Sequence, residues 1–289
     1  MAFIPLGYFI KKKFDISDGY VSTPLIKVLL PLLVFFNVLD AEAQKLYILP
    51  VLTFLLALGM VPAANFAHKR FAKESNPLLL RSSFSFFNIA FFGIPTITGL
   101  FGEDKVSTLI CIYLGSALYG DTIGYFQVAK TKLSFREAFK EVAKIPFLYV
   151  FIAAIICKAA GVEKPDSFEA PLKVVSFIVS AAGMLIVGFN LSEVKFENFK
   201  WKYYFRLLSF RTAAAILILG LLVGGEYLIF NQLEKEDYLM LSLVPLFPVA
   251  ANVTVFASFL GSEQKQSSLL VFLSMLLSLV LVSLAALLF

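Results

Sequence analysis

The sequence predicts an all-α integral membrane protein of about ten transmembrane helices. Of its 289 residues 59% are hydrophobic and only 16% are charged, whereas a soluble domain carries roughly 25% charged residues to cover its exterior. Nearly uncharged runs of about 18 or more residues also recur along the chain, and each can cross a bilayer core of about 30 Å.

The helices are expected where apolar runs alternate with short polar connectors. The predicted spans are 1–10, 21–39, 46–66, 78–101, 105–128, 145–161, 168–191, 203–230, 236–260 and 266–289. The first span reaches only about 15 Å as a helix, so it is either a half-span packed inside the bundle or the start of a chain that begins late. Its apolar residues precede its basic ones, which is the reverse of a cleavable signal peptide.

The longest connector, 129–144, is predicted to form a short amphipathic helix on the membrane surface. Its apolar residues Leu133, Phe135, Phe139 and Val142 recur at near-helical spacing. This cytoplasmic linker divides the chain into a first repeat, residues 1–128 with helices 1–5, and a second repeat, residues 145–289 with helices 6–10.

The basic residues predict the orientation. Alternate connectors hold fifteen Lys and Arg residues in one set and five in the other, and the richer set is expected in the cytoplasm. Both termini then lie outside a multi-pass protein of the cytoplasmic membrane. The net charge of +5 is spread over these connectors, so the expected partner is the lipid bilayer and not a nucleic acid.

Five helices in each half give the halves opposite topology, as in an inverted repeat. Helices 4 and 9 each carry a helix breaker in mid-span, Pro95 and Pro248. Two crossed broken helices would place N–H ends, which suit an anion, and carbonyl ends, which suit a cation, near the bilayer midplane. The alternative is two simple proline kinks.

Candidate substrate-binding residues surround these breaks and the ends of helices 2 and 7. They are Asn88, Gly93, Ile94, Pro95, Pro248, Asn252, Asn190 and Asn37. The alternative for the four asparagines is interhelical hydrogen bonding without a ligand.

Asp121 is the one acidic side chain well inside a predicted span. Intramembrane carboxylates face the bundle interior and relay protons or bind cations, so Asp121 is a candidate for coupling to H⁺ or Na⁺. Arg211 and Arg81 are its candidate partners. If Asp121 forms a static ion pair with either arginine, its role is structural.

An enzyme is not expected. His68, the single histidine, lies in a basic connector, and the chain lacks an HExxH motif, a glycine-rich phosphate loop and a serine or cysteine nucleophile with a histidine inside the membrane. No cofactor and no metal site are therefore predicted.

Several stretches resemble the auxin efflux carrier family, which includes PIN-type carriers and prokaryotic dicarboxylate carriers. The matching stretches are 30–35 in helix 2, Asn88–Pro95 followed by 100–102, Ile145–Pro146, 188–191 in helix 7 and Pro248–Phe259. The resemblance implies a ten-helix inverted repeat with crossed broken helices 4 and 9, an organic anion beside the crossover and a homodimer. The family's crossover prolines would fall on Pro95 and Pro248, and its crossover asparagine on Asn88.

The chain departs from that family in its short first helix and in lacking the long hydrophilic loop of the large plant carriers. The expected function is a secondary transporter of small organic anions, mainly carboxylates, that works by alternating access. Two alternatives stay open: a sodium/proton antiporter or bile-acid-type sodium symporter of the same fold, and a non-transporting membrane receptor.

Overall fold

The computed structural model describes residues 3–14, 16–17, 19–41, 45–102, 105–192 and 200–288. Over these ranges the chain is helical, and its single β-bridge, Phe87 with Val249, lies outside any strand. The α-helices in chain order are α1 (Phe3–Phe14), α2 (Gly19–Asp40), α3 (Ile48–Arg70), α4 (Pro77–Ser85), α5 (Ile94–Phe101), α6 (Val106–Tyr119, Gly120–Gly124 and Tyr125–Ala129), α7 (Phe135–Lys144), α8 (Phe147–Ala159), α9 (Glu169–Leu191), α10 (Trp201–Ile229), α11 (Lys235–Leu243), α12 (Asn252–Leu260) and α13 (Gln264–Ala285).

Six helices in the described ranges are long and apolar enough to cross a membrane. They are Gly19–Asp40, Ile48–Arg70, Thr108–Ala129, Asp166–Leu191, Trp201–Ile229 and Gln264–Ala285. Counting α7 and α8 as one bent span raises the number to seven. The count stays below ten because α1 reaches only about 18 Å and because two further apolar stretches are interrupted, between α4 and α5 and between α11 and α12.

A separate helix does lie in the long connector, but over a shorter range than predicted. α7 begins at Ser134, whose Oγ accepts a hydrogen bond from the Glu137 amide while the Glu137 carboxylate accepts one from the Ser134 amide. Phe135 and Phe139 are exposed, and α7 meets α8 at an angle of 44°. Its position on a membrane surface stays a prediction.

The first helix is longer than the predicted span 1–10. It continues through three lysines to Phe14, because lysine favours a helix once the chain is already helical. α1 packs along α9, where two glycines allow the backbones to touch. A Cβ on Gly7 would lie 2.3 Å from the Leu185 carbonyl oxygen, and one on Gly188 would lie 2.1 Å from the Ile4 carbonyl oxygen.

In the part of the chain that the structure describes, π-helical turns occur at three places: Leu25–Leu29 within α2, Ile89–Gly93 ahead of α5, and Gly120–Gly124 within α6. Such turns insert one extra residue and are frequent at functional sites. The second and third pack near the interrupted helices, since α6 contacts the turn Ile89–Gly93 and α4 contacts the turn Gly120–Gly124.

We expect Gly188→Ala to lower the free energy of unfolding by about 1–3 kcal/mol, because the new methyl group would overlap a backbone carbonyl that cannot turn away. The measurement is thermal unfolding of the purified protein in detergent. Gly220→Ala is the matched control: Gly220 also lies within a helix, but a Cβ there meets nothing within 4 Å. Equal melting temperatures for the two variants would contradict the close α1–α9 contact.

Candidate functional site

The two interrupted helices meet at their breaks. The first break, Phe86–Asn88, separates α4 from the π-helical turn before α5, and the second, 247–251, separates α11 with its 3₁₀ turn from α12. The backbone N–H of Asn88 donates to the Pro248 carbonyl at 2.9 Å, and the backbone N–H of Ala250 donates to the Phe86 carbonyl at 3.0 Å. Each break therefore satisfies backbone groups that the other leaves without a helical partner.

Arg211 of α10 joins both breaks from the side of their carbonyl ends. Its Nε donates to the Ser83 carbonyl at 3.1 Å, its Nη1 to the Phe247 carbonyl at 3.1 Å and its Nη2 to the Phe86 carbonyl at 3.4 Å. The guanidinium also lies over the Phe87 ring, 4.1 Å from the ring centroid. With 2% of its surface exposed, Arg211 supplies the positive charge that helix C-terminal ends favour.

Asn88 is the last residue of the first break and directly precedes the π-helical turn. Its carbonyl oxygen accepts from the amides of Phe92, at 3.2 Å, and Gly93, at 3.3 Å. Asn88 is 3% exposed, yet its Nδ2 has no hydrogen-bond partner among the described residues. A buried amide donor without a partner is costly unless a ligand or water completes it.

The residues after Asn88 correct one expectation from the sequence. Pro95 does not form the break, which lies seven to nine positions earlier, at Phe86–Asn88. Pro95 is the second residue of α5, which directly follows the π-helical turn, so its missing N–H falls where the backbone changes from π-helical to α-helical hydrogen bonding. Ile94 is the first residue of α5, and Gly93 packs on Phe247, whose ring carbon would lie 3.0 Å from an added Cβ. Pro248 does lie within the second break.

Asn252 and Asp121 form the polar contact on the other side of the crossover. Asn252, the first residue of α12, donates from Nδ2 to Oδ1 of Asp121 at 3.1 Å. Asp121 lies in the π-helical turn of α6 and is 4% exposed, and its Oδ2 has no hydrogen-bond partner in the described ranges. The preceding Gly120 packs directly on Phe86, because an added Cβ would lie 2.4 Å from that ring. Asp121 thus lies beside both breaks.

Neither arginine forms an ion pair with Asp121 among the described residues. Arg211 bonds to the three carbonyls, and Nε of Arg81 donates to Oδ1 of Asn65 at 2.7 Å, which joins α4 to α3. The pairs predicted from the sequence are therefore not formed in this structure, because backbone carbonyls and an amide provide closer acceptors.

The two remaining asparagines lie outside the crossover contacts. Nδ2 of Asn190, on α9, donates to Oγ of Ser258, on α12, at 2.8 Å. This is the interhelical bond that the alternative interpretation expected. Asn37 is half-buried on α2, and its side chain makes no hydrogen bond with the described residues.

Sequence reasoning missed several buried hydroxyls on the helices that carry Asn88, Asp121 and Asn252. Within the described part of the chain, the side-chain oxygens of four of them have no hydrogen-bond partner: Ser82, Ser83, Ser116 and Thr254. Serine and threonine are common in membrane helices, so only their density in the stretch 81–88, RSSFSFFN, could have drawn attention to them. Such groups need water or a ligand.

No protein-family model matches the chain, and no curated protein matches it.

We expect Arg211→Lys to lower the free energy of unfolding by about 3–5 kcal/mol, because one ammonium cannot reach carbonyls on both breaks and stays buried without enough acceptors. Thermal unfolding in detergent measures the change. Arg206→Lys is the control, since Arg206 is exposed on the same helix and lies over the Phe71 ring. An Arg211→Lys protein as stable as the wild type would show that the three hydrogen bonds do not hold the breaks together.

Proposed function

We propose that the chain is a secondary transporter of small organic anions, chiefly carboxylates, across the cytoplasmic membrane by alternating access. The observation that carries this proposal is the Asn88 side chain, a buried amide donor with no partner at the break of an interrupted helix. A carboxylate is the natural complement of an unused N–H donor beside a helix N-terminus.

The charges at the crossover favour an anion over a cation at Asn88. The carbonyl ends of both breaks are already occupied by Arg211. The backbone N–H groups at the start of the π-helical turn after Asn88 are the other end of the first break. These N–H groups carry partial positive charge. The guanidinium itself is buried within the same crossover and raises the local potential further.

The proposal includes ten spans arranged as a 5+5 inverted repeat with two crossed broken helices. These are predicted helix 4, which contains α4 and α5, and predicted helix 9, which contains α11 and α12. Two contacts between helices support this arrangement: α1 packs on α9, and α8 packs on α2. These contacts are equivalent if α1 and α2 of the first repeat correspond to α8 and α9 of the second. Such a fold moves one group of helices against another around a fixed site.

We also propose membership of the auxin efflux carrier family, on the motifs quoted above. The crossover asparagine of that family would be Asn88, and its prolines Pro95 and Pro248. Homodimerisation is part of the same proposal.

A sodium/proton antiporter or bile-acid-type symporter of this fold is the second candidate. Asp121 favours it, because a buried carboxylate with a free oxygen can bind a proton or a cation. A non-transporting receptor would keep the same site but bind without flux.

The decisive measurement is uptake into proteoliposomes of radiolabelled lactate, pyruvate, succinate and malate, with and without imposed proton and sodium gradients. We expect saturable uptake by the wild type. Asn88→Ala should raise KM about 10–100-fold, because a hydrogen bond to a charged group contributes about 1.5–3 kcal/mol.

Gln232→Ala is the control for this substitution, since it removes an exposed amide and should leave KM unchanged. Uptake with the same KM in Asn88→Ala as in the wild type would remove Asn88 from the site. Folded wild-type protein that moves no carboxylate under any gradient would favour the antiporter or receptor.

A further inference from the structure

Two buried atoms of opposite hydrogen-bonding type are unused at the crossover. Nδ2 of Asn88 is a donor without an acceptor, and Oδ2 of Asp121 is an acceptor without a donor. Both side chains are at least nine-tenths buried, at 3% and 4% exposure. Two contacts bring the break and Asp121 together. The Phe86 ring lies against Gly120, the neighbour of Asp121. The backbone N–H of Asn88 bonds to the carbonyl of Pro248, and Asn252, which holds Asp121, follows four residues later.

An anion at Asn88 and an ionised Asp121 would oppose each other. Like charges interact strongly where water is excluded, and each favours the neutral form of the other. Asn252 fixes the orientation of the carboxyl group, since it donates to Oδ1 and leaves Oδ2 as the oxygen open to a proton. Protonation turns Oδ2 from an acceptor into a donor, which removes the repulsion and adds a second donor for an anion.

No cation among the described residues is placed to hold Asp121 ionised. Its turn packs against α4, α8 and α12, and α12 carries no titratable side chain. On α4, Arg81 bonds to Asn65, and on α8, Lys158 donates to the Leu39 carbonyl. Arg211 is directed at its three carbonyls. The other titratable groups on α6 itself and on these elements are Cys111, Tyr113, Tyr119, Tyr125, Tyr149 and Cys157.

We propose that Asp121 and the Asn88 site are loaded together, so that each organic anion crosses with one proton bound to Oδ2 of Asp121. One proton moves from water to Oδ2 as the anion binds and returns to water on the opposite side as the anion leaves. No bond other than this O–H bond forms or breaks. The inference rests on the proposed function, and it selects H⁺ over Na⁺ as the coupling ion.

The first test uses the wild type in proteoliposomes with succinate and lactate as probes. An inward proton gradient should drive accumulation above equilibrium, and an equal sodium gradient should not. At pH values above the titration of Asp121, KM should rise about tenfold per pH unit, because one proton is taken up per anion bound. Empty liposomes correct for passive entry of the neutral acids.

The second test uses Asp121→Asn, which keeps the shape of the side chain and mimics its protonated, uncharged form. We expect this variant to exchange external for internal anion with a KM independent of pH, and to lose accumulation driven by the proton gradient. Glu163→Gln removes an exposed carboxylate in a loop and should behave as the wild type. Elution as a single species and a cooperative melt establish folding, and the KM profile of the wild type decides alone if Asp121→Asn fails to fold.

Each outcome has one meaning. Accumulation by Asp121→Asn equal to that of the wild type, or a KM of the wild type that does not change with pH, would overturn the proton coupling but leave the carrier. Accumulation driven by sodium and lost in Asp121→Asn would make Asp121 a cation ligand and also overturn it. Absence of any wild-type flux would overturn the proposed function, and this inference with it.

Discussion

The crossover depends on one buried arginine that joins two chain breaks. A break inside a membrane protein frees carbonyl groups that lipid cannot satisfy, and a buried guanidinium needs acceptors that lipid cannot supply. Arg211 and the carbonyls of Ser83, Phe86 and Phe247 meet both needs at once. Since one side chain bonds to both breaks, neither can move away without leaving a charge and several carbonyls unpaired. The two interrupted helices and α10 are therefore expected to behave as one body.

This arrangement makes the two halves of the crossover chemically unequal. The side-chain amide of Asn252 donates to Asp121, whereas the side-chain amide nitrogen of Asn88 has no acceptor among the described residues. Two asparagines beside the two breaks thus differ in their contacts: the side chain of Asn252 holds a carboxyl group, and the Nδ2 of Asn88 has no partner within the described ranges. Under the proposed function, this difference is what would let one crossover bind an anion and a proton together. The difference follows from Asp121 on α6, because α13, the helix that corresponds to α6 in the proposed repeat, carries no acidic residue.

Hydrophobic runs and their connectors were sufficient to predict an all-helical membrane protein and the location of both interrupted helices, because burial in lipid leaves a strong compositional signal. The position of the first break was not predicted, since the proline that marked it lies beyond the break, where the π-helical turn passes into α5. The partners of Arg211 were also missed. They are backbone carbonyls, which every residue has, so no residue type marks them, and the sequence favoured the more visible pairing of opposite charges with Asp121.

The helix contacts restrict where an alternating-access motion could occur. At the α1–α9 contact, and at the α3–α6 contact where a Cβ on Gly115 would lie 1.9 Å from the Pro50 carbonyl oxygen, backbone touches backbone. Interlocked backbones cannot slide without collision, so these pairs must move as units. Neither α2 nor α12 holds a glycine whose added Cβ would meet the backbone of the other helix, so their contact lacks the interlocked backbone of the first two pairs. If the proposed alternating access takes place, we therefore expect helices to shift at the contact of α2 with α12, which includes the π-helical turn Leu25–Leu29.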